Sequence, residues 1–270
     1  MSRRRGDGRT VVIALVSTAV VFTALGFAIV NAPGWPEIKR QFFDWGEFRA
    51  TFPGVAEAFL LNVKIFVISE AIILVTALLI AVVRSLPGPA LFPLRILAVT
   101  YADFFRGVPT ILVITLLGFG APALQVEGIP TSTTFWGIVA LVLVYTAYVS
   151  EVYRAGIESV HPSQDAAARS LGLTHGQSLR FVVLPQAVRR VVPPLLNDFI
   201  GLQKDTALVG VLGSVEAFKQ TQIDQAATFN FTSGLAAAVL FVAVTIPLTR
   251  FVDWLVSRDR RRRQTAGVLA

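Results

Sequence analysis

The sequence contains no cysteine and only two histidines, His161 and His175, among its 270 residues. The absence of cysteine excludes disulfide bonds, cysteine-ligated zinc and thiol catalysis. Two histidines are too few for a histidine-rich metal site. Charged residues make up 15% of the chain, against roughly 25% in ordinary globular domains. A water-soluble protein of this size could not cover its surface with so few charges, so the sequence predicts an integral membrane protein.

Sequence motifs for catalysis are also absent. The chain has no Gly-x4-Gly-Lys-Ser/Thr phosphate loop, no His-Glu-x-x-His motif and no Gly-x-Ser-x-Gly motif. We therefore expect this chain to hydrolyse no ATP, to bind no metal and to carry no catalytic residues. The net charge of +7 does not indicate nucleic-acid binding, because the arginines lie at the ends of apolar runs rather than on one polar face.

Hydrophobic residues, at 54% of the chain, are concentrated in six apolar runs. A membrane-spanning helix needs about 20 such residues. The fifth run is weaker than the others because polar residues interrupt it. All six are continuous rather than alternating, which favours helices over a membrane barrel. The sequence thus predicts an all-α membrane protein with six transmembrane helices, at residues 11–30, 55–83, 96–120, 135–153, 191–213 and 235–256.

The distribution of arginine predicts how these spans are oriented. With six spans, the arginine-rich segments all fall on one side of the membrane: residues 1–10, 84–95, 169–190 and 258–270. Lysine and arginine on the other side are diluted by acidic residues. We therefore expect both termini to be cytoplasmic, with the basic tails 1–10 and 258–270 largely disordered.

Two segments near the N-terminus allow more than one interpretation. Residues 11–30 are interpreted as a membrane anchor, because their apolar run is longer than the ~7–15 residues of a cleaved signal peptide, which is the alternative. Residues 31–54 form an external segment in which aromatic residues lie among charges. That pattern suits a helix in the outer membrane interface, or equally a loop with aromatic anchors.

The cytoplasmic loop 161–190 carries the start and stop signals of two short helices. Ser163 is expected to cap the first helix, and Asp165 stands in its first turn, where the helix dipole favours an acid. Gly172 is expected to end that helix with a positive φ. The small residues between them leave room for a docking partner, although a hairpin with only a structural role is the alternative.

The second short helix has its own signals. Thr174 and Gln177 have the spacing of a capping box, and Pro185 is expected to stop the helix. The predicted loop is therefore two short helices that meet at a glycine corner.

Residues 163–187, SQDAAARSLGLTHGQSLRFVVLPQA, resemble the EAA loop of ABC-importer permeases. That pattern is Glu-Ala-Ala, three residues, Gly, nine residues, Ile, one residue and Leu-Pro. One departure is that Ala166 replaces the glutamate, and the nearest acid, Asp165, is displaced by about 100° around the helix. The resemblance implies an ATPase-coupling loop that includes Asp165, Ala166, Ala167, Ala168, Leu171, Gly172, Leu184 and Pro185.

Three further segments resemble the polar amino-acid branch of these permeases. They follow in the expected order at residues 101–109, 148–157 and 197–208, with the sequences YADFFRGVP, YVSEVYRAGI and NDFIGLQKDTAL. The resemblance implies a type I importer fold over residues 55–257, with a five-helix core and one added N-terminal helix. It also implies import of a polar amino acid of the glutamate, glutamine, arginine and histidine class across the bacterial cytoplasmic membrane.

The resemblance further implies several partners. A dimer of ATPase subunits would use ATP and magnesium, a second permease would be identical or related, and an extracytoplasmic binding protein would deliver the amino acid. This chain itself is expected to bind no cofactor and no nucleic acid, only the lipid bilayer. Two alternatives remain open at this stage: an ion-coupled secondary transporter and a polytopic membrane enzyme or scaffold. The missing catalytic motifs disfavour the enzyme.

Ionisable groups within the spans are costly in lipid, so we expect them to face the interior of the bundle. Asp103 and Arg106 are three residues apart and are predicted to pair, as are Glu151 and Arg154. Arg106 is the hypothesised contact for the substrate carboxylate, and a purely structural ion pair is the alternative. The candidate residues of the substrate pathway are Arg106, Asp103, Asn62, Tyr145, Tyr148, Glu151, Asn197, Gln203 and Lys204.

The predicted orientation can be tested with reporter fusions. A reporter enzyme that is active only outside the cytoplasm should work when fused within residues 121–133 and should fail when fused after Arg263. A cytoplasm-active reporter at the same two sites should give the opposite pattern. If the first reporter works only after Arg263, the orientation is wrong.

Overall fold

The computed structural model describes residues 8–85, 89 and 91–268, and every regular element in those ranges is helical. The predicted all-α class is therefore confirmed. A π-helical segment, Leu179–Val183, precedes α9, and a 3-10 segment, Thr206–Leu212, follows it. The α-helices are α1 (Gly8–Val30), α2 (Trp35–Phe42), α3 (Trp45–Ser85), α4 (Phe92–Gly107), α5 (Thr110–Ala123), α6 (Thr133–Glu158), α7 (Pro162–Ser170), α8 (His175–Ser178), α9 (Leu184–Asp205), α10 (Ala217–Thr228) and α11 (Thr232–Val268).

Four helical stretches are long and apolar enough to cross a membrane. They are Arg9–Val30, Trp35–Ser85, Thr133–Glu158 and Thr232–Arg258. The bent pair of α4 and α5 gives a fifth span if both helices belong to one crossing. The predicted run 191–213 is divided between α9 and the 3-10 segment and does not meet the same criterion, so a sixth span stays a prediction.

The third predicted span, residues 96–120, is wrong as a single helix. It consists of α4 and α5, which are bent by 103° at residues 107–109. Val108 is extended, with φ −96° and ψ 132°, because the ring of Pro109 excludes the helical conformation for the residue before it. Pro109 also lacks the N–H that would continue the hydrogen bonds of α4.

The external segment 31–54 is neither one interfacial helix nor a loop. It contains the short α2 and the first turns of α3, and the corner between them is attached to the turn that joins α10 to α11. Phe231 donates its N–H to the carbonyl of Gln41 at 2.7 Å, and the Asp44 N–H reaches Thr232 Oγ1 at 3.1 Å. The rings of Phe42 and Phe231 stack with centroids 5.0 Å apart.

The C-terminal tail also differs from its prediction. Residues 258–270 are predicted to be disordered, but α11 continues to Val268, and residues 269–270 lie outside the described residues. Arginine and alanine are residues with a high helix propensity, which favours this extension of the helix. At the other end α1 begins at Gly8, and residues 1–7 of the predicted N-terminal tail lie outside the described residues.

The core of the bundle is built around α3 and α6. Ile65 and Ile73 of α3 are fully buried against Leu141 and Val144 of α6, and Leu202 of α9 completes this cluster. α11 covers the other side of α3, where Phe59 and Phe241 meet edge to face at 5.0 Å. By contrast, every described side chain of α1 is exposed, so its apolar surface is left for lipid or another subunit.

Glycine allows α6 to approach its neighbours closely. A Cβ atom added to Gly156 would lie 1.9 Å from Cγ2 of Val191 on α9, and one added to Gly137 would lie 2.6 Å from Cγ1 of Val209. Neither contact could be accommodated without a shift of the helices. The absence of a side chain at Gly156 therefore allows the close approach of α6 and α9 near the loop 161–190.

We predict that Gly156→Ala destabilises the protein by about 1–3 kcal/mol, because the added methyl group overpacks the contact with Val191. Thermal unfolding in detergent measures this change. Gly26→Ala on α1, where nothing lies within 4 Å, is the matched control and should have no such effect. The double variant Gly156→Ala/Val191→Ala should recover much of the stability, and a failure to recover any would contradict the assigned contact.

Candidate functional site

A series of polar side chains winds along α6. Consecutive members are three or four residues apart and so are neighbours on the helix surface, while the series turns by about 180° around the helix from Tyr145 to Arg154. We call this set the α6 stripe, and it consists of Tyr145, Tyr148, Glu151, Arg154 and Glu158. Helices α3, α4 and α9 each contribute a charged partner to it, and with these partners it includes four of the nine candidate residues of the substrate pathway: Arg106, Tyr145, Tyr148 and Glu151.

The inner end of the α6 stripe meets α9. Tyr145 is buried, and its hydroxyl donates to Asp205 Oδ2 at 2.9 Å. Gly201 of α9 faces the same hydroxyl, and a Cβ at that position would lie 3.1 Å from it. The stripe therefore begins where α9 ends and the 3-10 segment starts.

The middle of the stripe meets the break between α4 and α5. The Tyr148 hydroxyl donates to the backbone carbonyl of Arg106 at 3.3 Å. The Arg106 guanidinium lies 6.0 Å from the centre of the Tyr148 ring, within cation–π range. Its Nη1 is 4.0 Å from Oε2 of Glu151.

These contacts correct the predicted pair of Asp103 and Arg106. In the part of the chain that the structure describes, Asp103 forms no ion pair, and Arg106 interacts with Glu151 instead. Because α4 ends at Gly107, the last-turn side chain of Arg106 reaches across to α6, while Asp103 remains exposed one turn earlier. Arg106 and Arg84 both approach Glu151 Oε2, so Arg106 lies level with the last turn of α3, near one end of the bundle.

Glu151 is the centre of the charged network. It pairs with Arg154, as predicted, and it also accepts a hydrogen bond from Arg84 Nη1 at 2.9 Å. Arg154 continues to Glu158 one turn further along α6. The sequence places Arg84 in the loop after the second predicted span. In the structure it lies in the last turn of α3, and its side chain is only 10% exposed. One carboxylate thus contacts arginines from three helices.

Two of the pathway candidates share one face of α9. Asn197 and Lys204 are exposed and lie two turns apart on the same side of the helix. Gln203 points the other way and is buried, and its Oε1 accepts a hydrogen bond from Thr245 at 3.0 Å. Within the described residues nothing accepts a hydrogen bond from its Nε2.

Gln203 borders a cavity of about 530 Å³ between α3, α9 and α11. Phenylalanine and aliphatic side chains supply most of its wall, among them Phe59, Phe66 and Phe199. An amino acid that carries two charges would be poorly accommodated in such surroundings. The cavity is therefore a less suitable candidate for the pathway than the α6 stripe.

Asn62, another predicted pathway residue, is enclosed rather than open. It is 2% exposed, and its amide makes hydrogen bonds to Thr206, Glu216 and Ala217. Sequence reasoning treated Glu216 only as an external charge. The available signal was its position directly before α10, where an acidic side chain commonly caps a helix.

The loop 161–190 contains the predicted corner. Gly172 has φ +87°, and the preceding Leu171 is 83% exposed. The predicted capping box is present, because the Gln177 N–H donates to Thr174 Oγ1 at 3.3 Å and the Thr174 N–H donates to Gln177 Oε1 at 2.9 Å.

Two details of this loop differ from the prediction. The residue that caps α7 is His161 rather than Ser163, because Pro162 supplies the first helical residue and Nδ1 of His161 accepts the Ser163 N–H at 3.2 Å. Pro185 does not stop a helix. It lies in the first turn of α9, where its missing N–H is not needed, and the helical path continues through the π-helical segment.

The remaining loop candidates lie on α7 and in the first turn of α9. Ala168 is buried, Asp165 is half-buried, and the other members are exposed: Ala166, Ala167, Leu184 and Pro185. A shallow pocket lies at the corner, lined by Ala166, Arg169, Ser170, Gly172, Leu173 and Thr174. The position of the missing glutamate, Ala166, thus faces this pocket rather than the bundle.

Comparison with known proteins identifies relatives of this chain. The family described as "Binding-protein-dependent transport system inner membrane component" matches residues 90–261. The arginine transport system permease protein ArtQ of Bacillus subtilis (strain 168) is 33% identical over 216 residues, covering 78% of this chain and 96% of the relative. The probable glutamine ABC transporter permease protein GlnM of the same organism is 34% identical over 169 residues, covering 62% of this chain and 76% of the relative.

Solved structures are similar as well. A structure described as "Crystal structure of an amino acid ABC transporter with histidines" has a TM-score of 0.72 and 29% identity, and the match covers 80% of this chain and 98% of that chain. The methionine ABC transporter MetNI in inward-facing conformations has a TM-score of 0.56 and 20% identity, and the match covers 76% of this chain and 94% of that chain. The helices therefore adopt the type I ABC permease fold that the sequence predicts.

We predict that Glu151→Gln destabilises the protein by about 2 kcal/mol, because Arg84 and Arg154 lose the carboxylate that neutralises them. The thermal unfolding midpoint in detergent should fall accordingly. Glu158→Gln is the control: that side chain is 58% exposed, so its loss should cost less than about 1 kcal/mol. Equal losses for the two variants would show that Glu151 is not the centre of the network.

Proposed function

This chain belongs to the family of binding-protein-dependent transport system inner membrane components, and we propose that it is the membrane-spanning permease subunit of an ATP-driven importer of polar amino acids. Its relatives with printed functions are amino-acid ABC permeases. The proposal concerns the energy source, the direction of transport and the class of substrate.

The observation that carries the proposal is the α6 stripe. An amino acid in transit bears a carboxylate and an ammonium group, and each needs a polar partner away from water. The stripe offers such partners from Asp205 and Tyr145 in the bundle to Glu158 at the end of α6. A membrane helix that served only as an anchor would not need this series of polar side chains.

Arg106 is the proposed contact for the substrate carboxylate. Its side chain is 40% exposed, and its distance to Glu151 is the longest of the ion pairs that Glu151 makes. The guanidinium therefore keeps donors free for a second anion, which it can bind with two hydrogen bonds. Lys204 and Asn197, exposed on α9, are further contacts in this proposal.

The proposed substrate is a polar amino acid of the glutamate, glutamine, arginine and histidine class. The names of the relatives support this class, since one is an arginine permease and another a probable glutamine permease. The stripe and its partners support it too, because together they present a guanidinium at Arg106 and carboxylates at Asp205 and Glu151.

The loop 161–190 is the proposed docking site of the ATPase subunits. Its glycine corner is fixed, and Leu171 projects from it. The ATPase would bind ATP and magnesium, so this chain needs no nucleotide site of its own. Ala166 replaces the glutamate of the motif, and we expect Asp165 or the neighbouring Arg169 to supply the polar contact with the ATPase.

The proposed assembly is a pair of permeases, two ATPases and an external binding protein in the bacterial cytoplasmic membrane. The loop must lie in the cytoplasm to reach the ATPases, which also places both termini there if there are six spans. ATP-driven closure of the ATPase pair would then move the two permeases as rigid bodies and alternate access to the pathway.

Reconstitution tests the proposal. The complex is reconstituted in liposomes from this chain and its ATPase, permease and binding-protein partners. We expect these liposomes to accumulate labelled arginine, glutamine, glutamate or histidine only when ATP is present on the side of the membrane where the ATPase subunits lie. Accumulation by this chain alone under an ion gradient would instead indicate a secondary transporter. Lack of uptake of all four amino acids would contradict the proposed substrate class.

The same system tests the docking loop. Gly172→Val should abolish uptake while the chain still inserts in the membrane, because a β-branched residue at φ +87° is strained by about 1 kcal/mol or more and the second helix is redirected. Gly176→Val on α8 is the control, since Gly176 has no positive φ and nothing within 4 Å. Unchanged uptake and ATPase binding in Gly172→Val would contradict the role of the corner.

A further inference from the structure

The most enclosed acidic side chain in the described part of the chain lies away from the α6 stripe. Glu216 is 0% exposed and stands directly before α10. Its Oε1 accepts the N–H of Lys219 at 2.7 Å, and its Oε2 accepts the N–H of Phe218 at 2.9 Å. These two bonds cap α10, as an acidic residue at this position commonly does.

Capping does not account for the third bond. Asn62 of α3 donates from Nδ2 to Glu216 Oε2 at 2.9 Å. The same Nδ2 also reaches Thr206 Oγ1 at 3.1 Å, and the Asn62 Oδ1 accepts the N–H of Ala217 at 3.0 Å. Asn62 therefore uses all of its polar groups to join α3 and α10 to the start of the 3-10 segment.

The next link reaches α9. The Thr206 hydroxyl donates to the backbone carbonyl of Gln203 at 2.8 Å, so the α-helix passes into the 3-10 segment at a point that Asn62 holds. Gly210 lies against the carboxylate on the other side, where an added Cβ would be 2.2 Å from Glu216 Oε1. We call Glu216, Asn62 and Thr206 the buried triad.

The triad determines where residues 204–206 lie. Lys204 and Asp205 directly precede Thr206, and Asp205 is the partner of Tyr145 at the inner end of the α6 stripe. A change of conformation at Thr206 would thus move both Lys204 and Asp205. Neither Glu216 nor Asn62 needs to touch an amino acid in order to affect how it is held.

We infer that Glu216 is a positioning residue for transport, which acts through Asn62 and Thr206 to hold Lys204 and Asp205 in their binding conformation. The inference rests on the proposed function, since it assigns the triad to the substrate pathway of that importer. It extends that function to a carboxylate that is separated from the pathway by two side chains.

Transport kinetics in the reconstituted complex test the inference, with labelled arginine, glutamine, glutamate and histidine each supplied alone. Glu216→Gln and Asn62→Asp should each raise the KM of uptake about tenfold. The first variant places two amide groups against each other in the triad, and the second places two carboxylates against each other. The double variant Asn62→Asp/Glu216→Gln restores one carboxylate opposite one amide, and the Thr206 hydroxyl can donate to the new carboxylate in place of the Gln203 carbonyl, so it should recover part of the lost affinity. Asp224→Asn, which removes a carboxylate two turns further along α10, is the matched control and should leave KM unchanged.

Variants of the uncharged residue Thr206 provide a second test in case the charge-changing variants do not assemble with their partners. Thr206→Val removes only the hydroxyl and should raise KM in the same direction, whereas Thr206→Ser keeps the hydroxyl and should not. If Glu216 only capped α10, neither Asn62→Asp nor Thr206→Val would change KM, and the inference would be wrong. It would also be wrong if the double variant were as impaired as the worse single variant.

The two proposals fail in different ways. Absence of ATP-dependent uptake in the wild-type complex would contradict the proposed function. Normal uptake by the wild type together with wild-type KM values in Glu216→Gln, Asn62→Asp and Thr206→Val would contradict only the role of the triad.

Discussion

Charged side chains within membrane helices must be neutralised by one another, because lipid offers neither counter-charge nor hydrogen bonds. Glu151 meets this requirement at the end of the bundle that adjoins the loop 161–190. It contacts Arg84 from α3, Arg106 from α4 and Arg154 on its own helix. The arrangement of these three helices therefore depends on one carboxylate.

Two interruptions of helical geometry lie beside the same α6 stripe. Residues 107–109 end α4 next to Tyr148, and α9 passes into the 3-10 segment next to Tyr145. Interrupted helices expose backbone polar groups, which are tolerated at membrane depth only where protein or a water-filled path surrounds them. The position of both breaks supports the assignment of the stripe to the substrate pathway.

The two ends of α9 are held in place by different kinds of contact. Gly156 lets α6 approach α9 on the side of the loop 161–190, while the buried triad joins α3, α9 and α10 at the other end of α9. The ends of α9 are thus fixed by two different means, one apolar and one polar. A movement of the loop 161–190, whose π-helical segment continues directly into α9, would reach Lys204 and Asp205 through this helix.

Features that depend on neighbouring residues can be predicted from the amino-acid sequence: the apolar helices, the corner at Gly172, the capping box, and the pair of Glu151 and Arg154. Each of these follows from chemistry within one or two helical turns. The folded arrangement of the helices is needed to see that Arg106 contacts Glu151 instead of Asp103 and that Asn62 binds Glu216, a residue 154 positions away. A buried polar group takes the partner that the packing of the helices brings within hydrogen-bond distance, and spacing along the chain does not specify that packing.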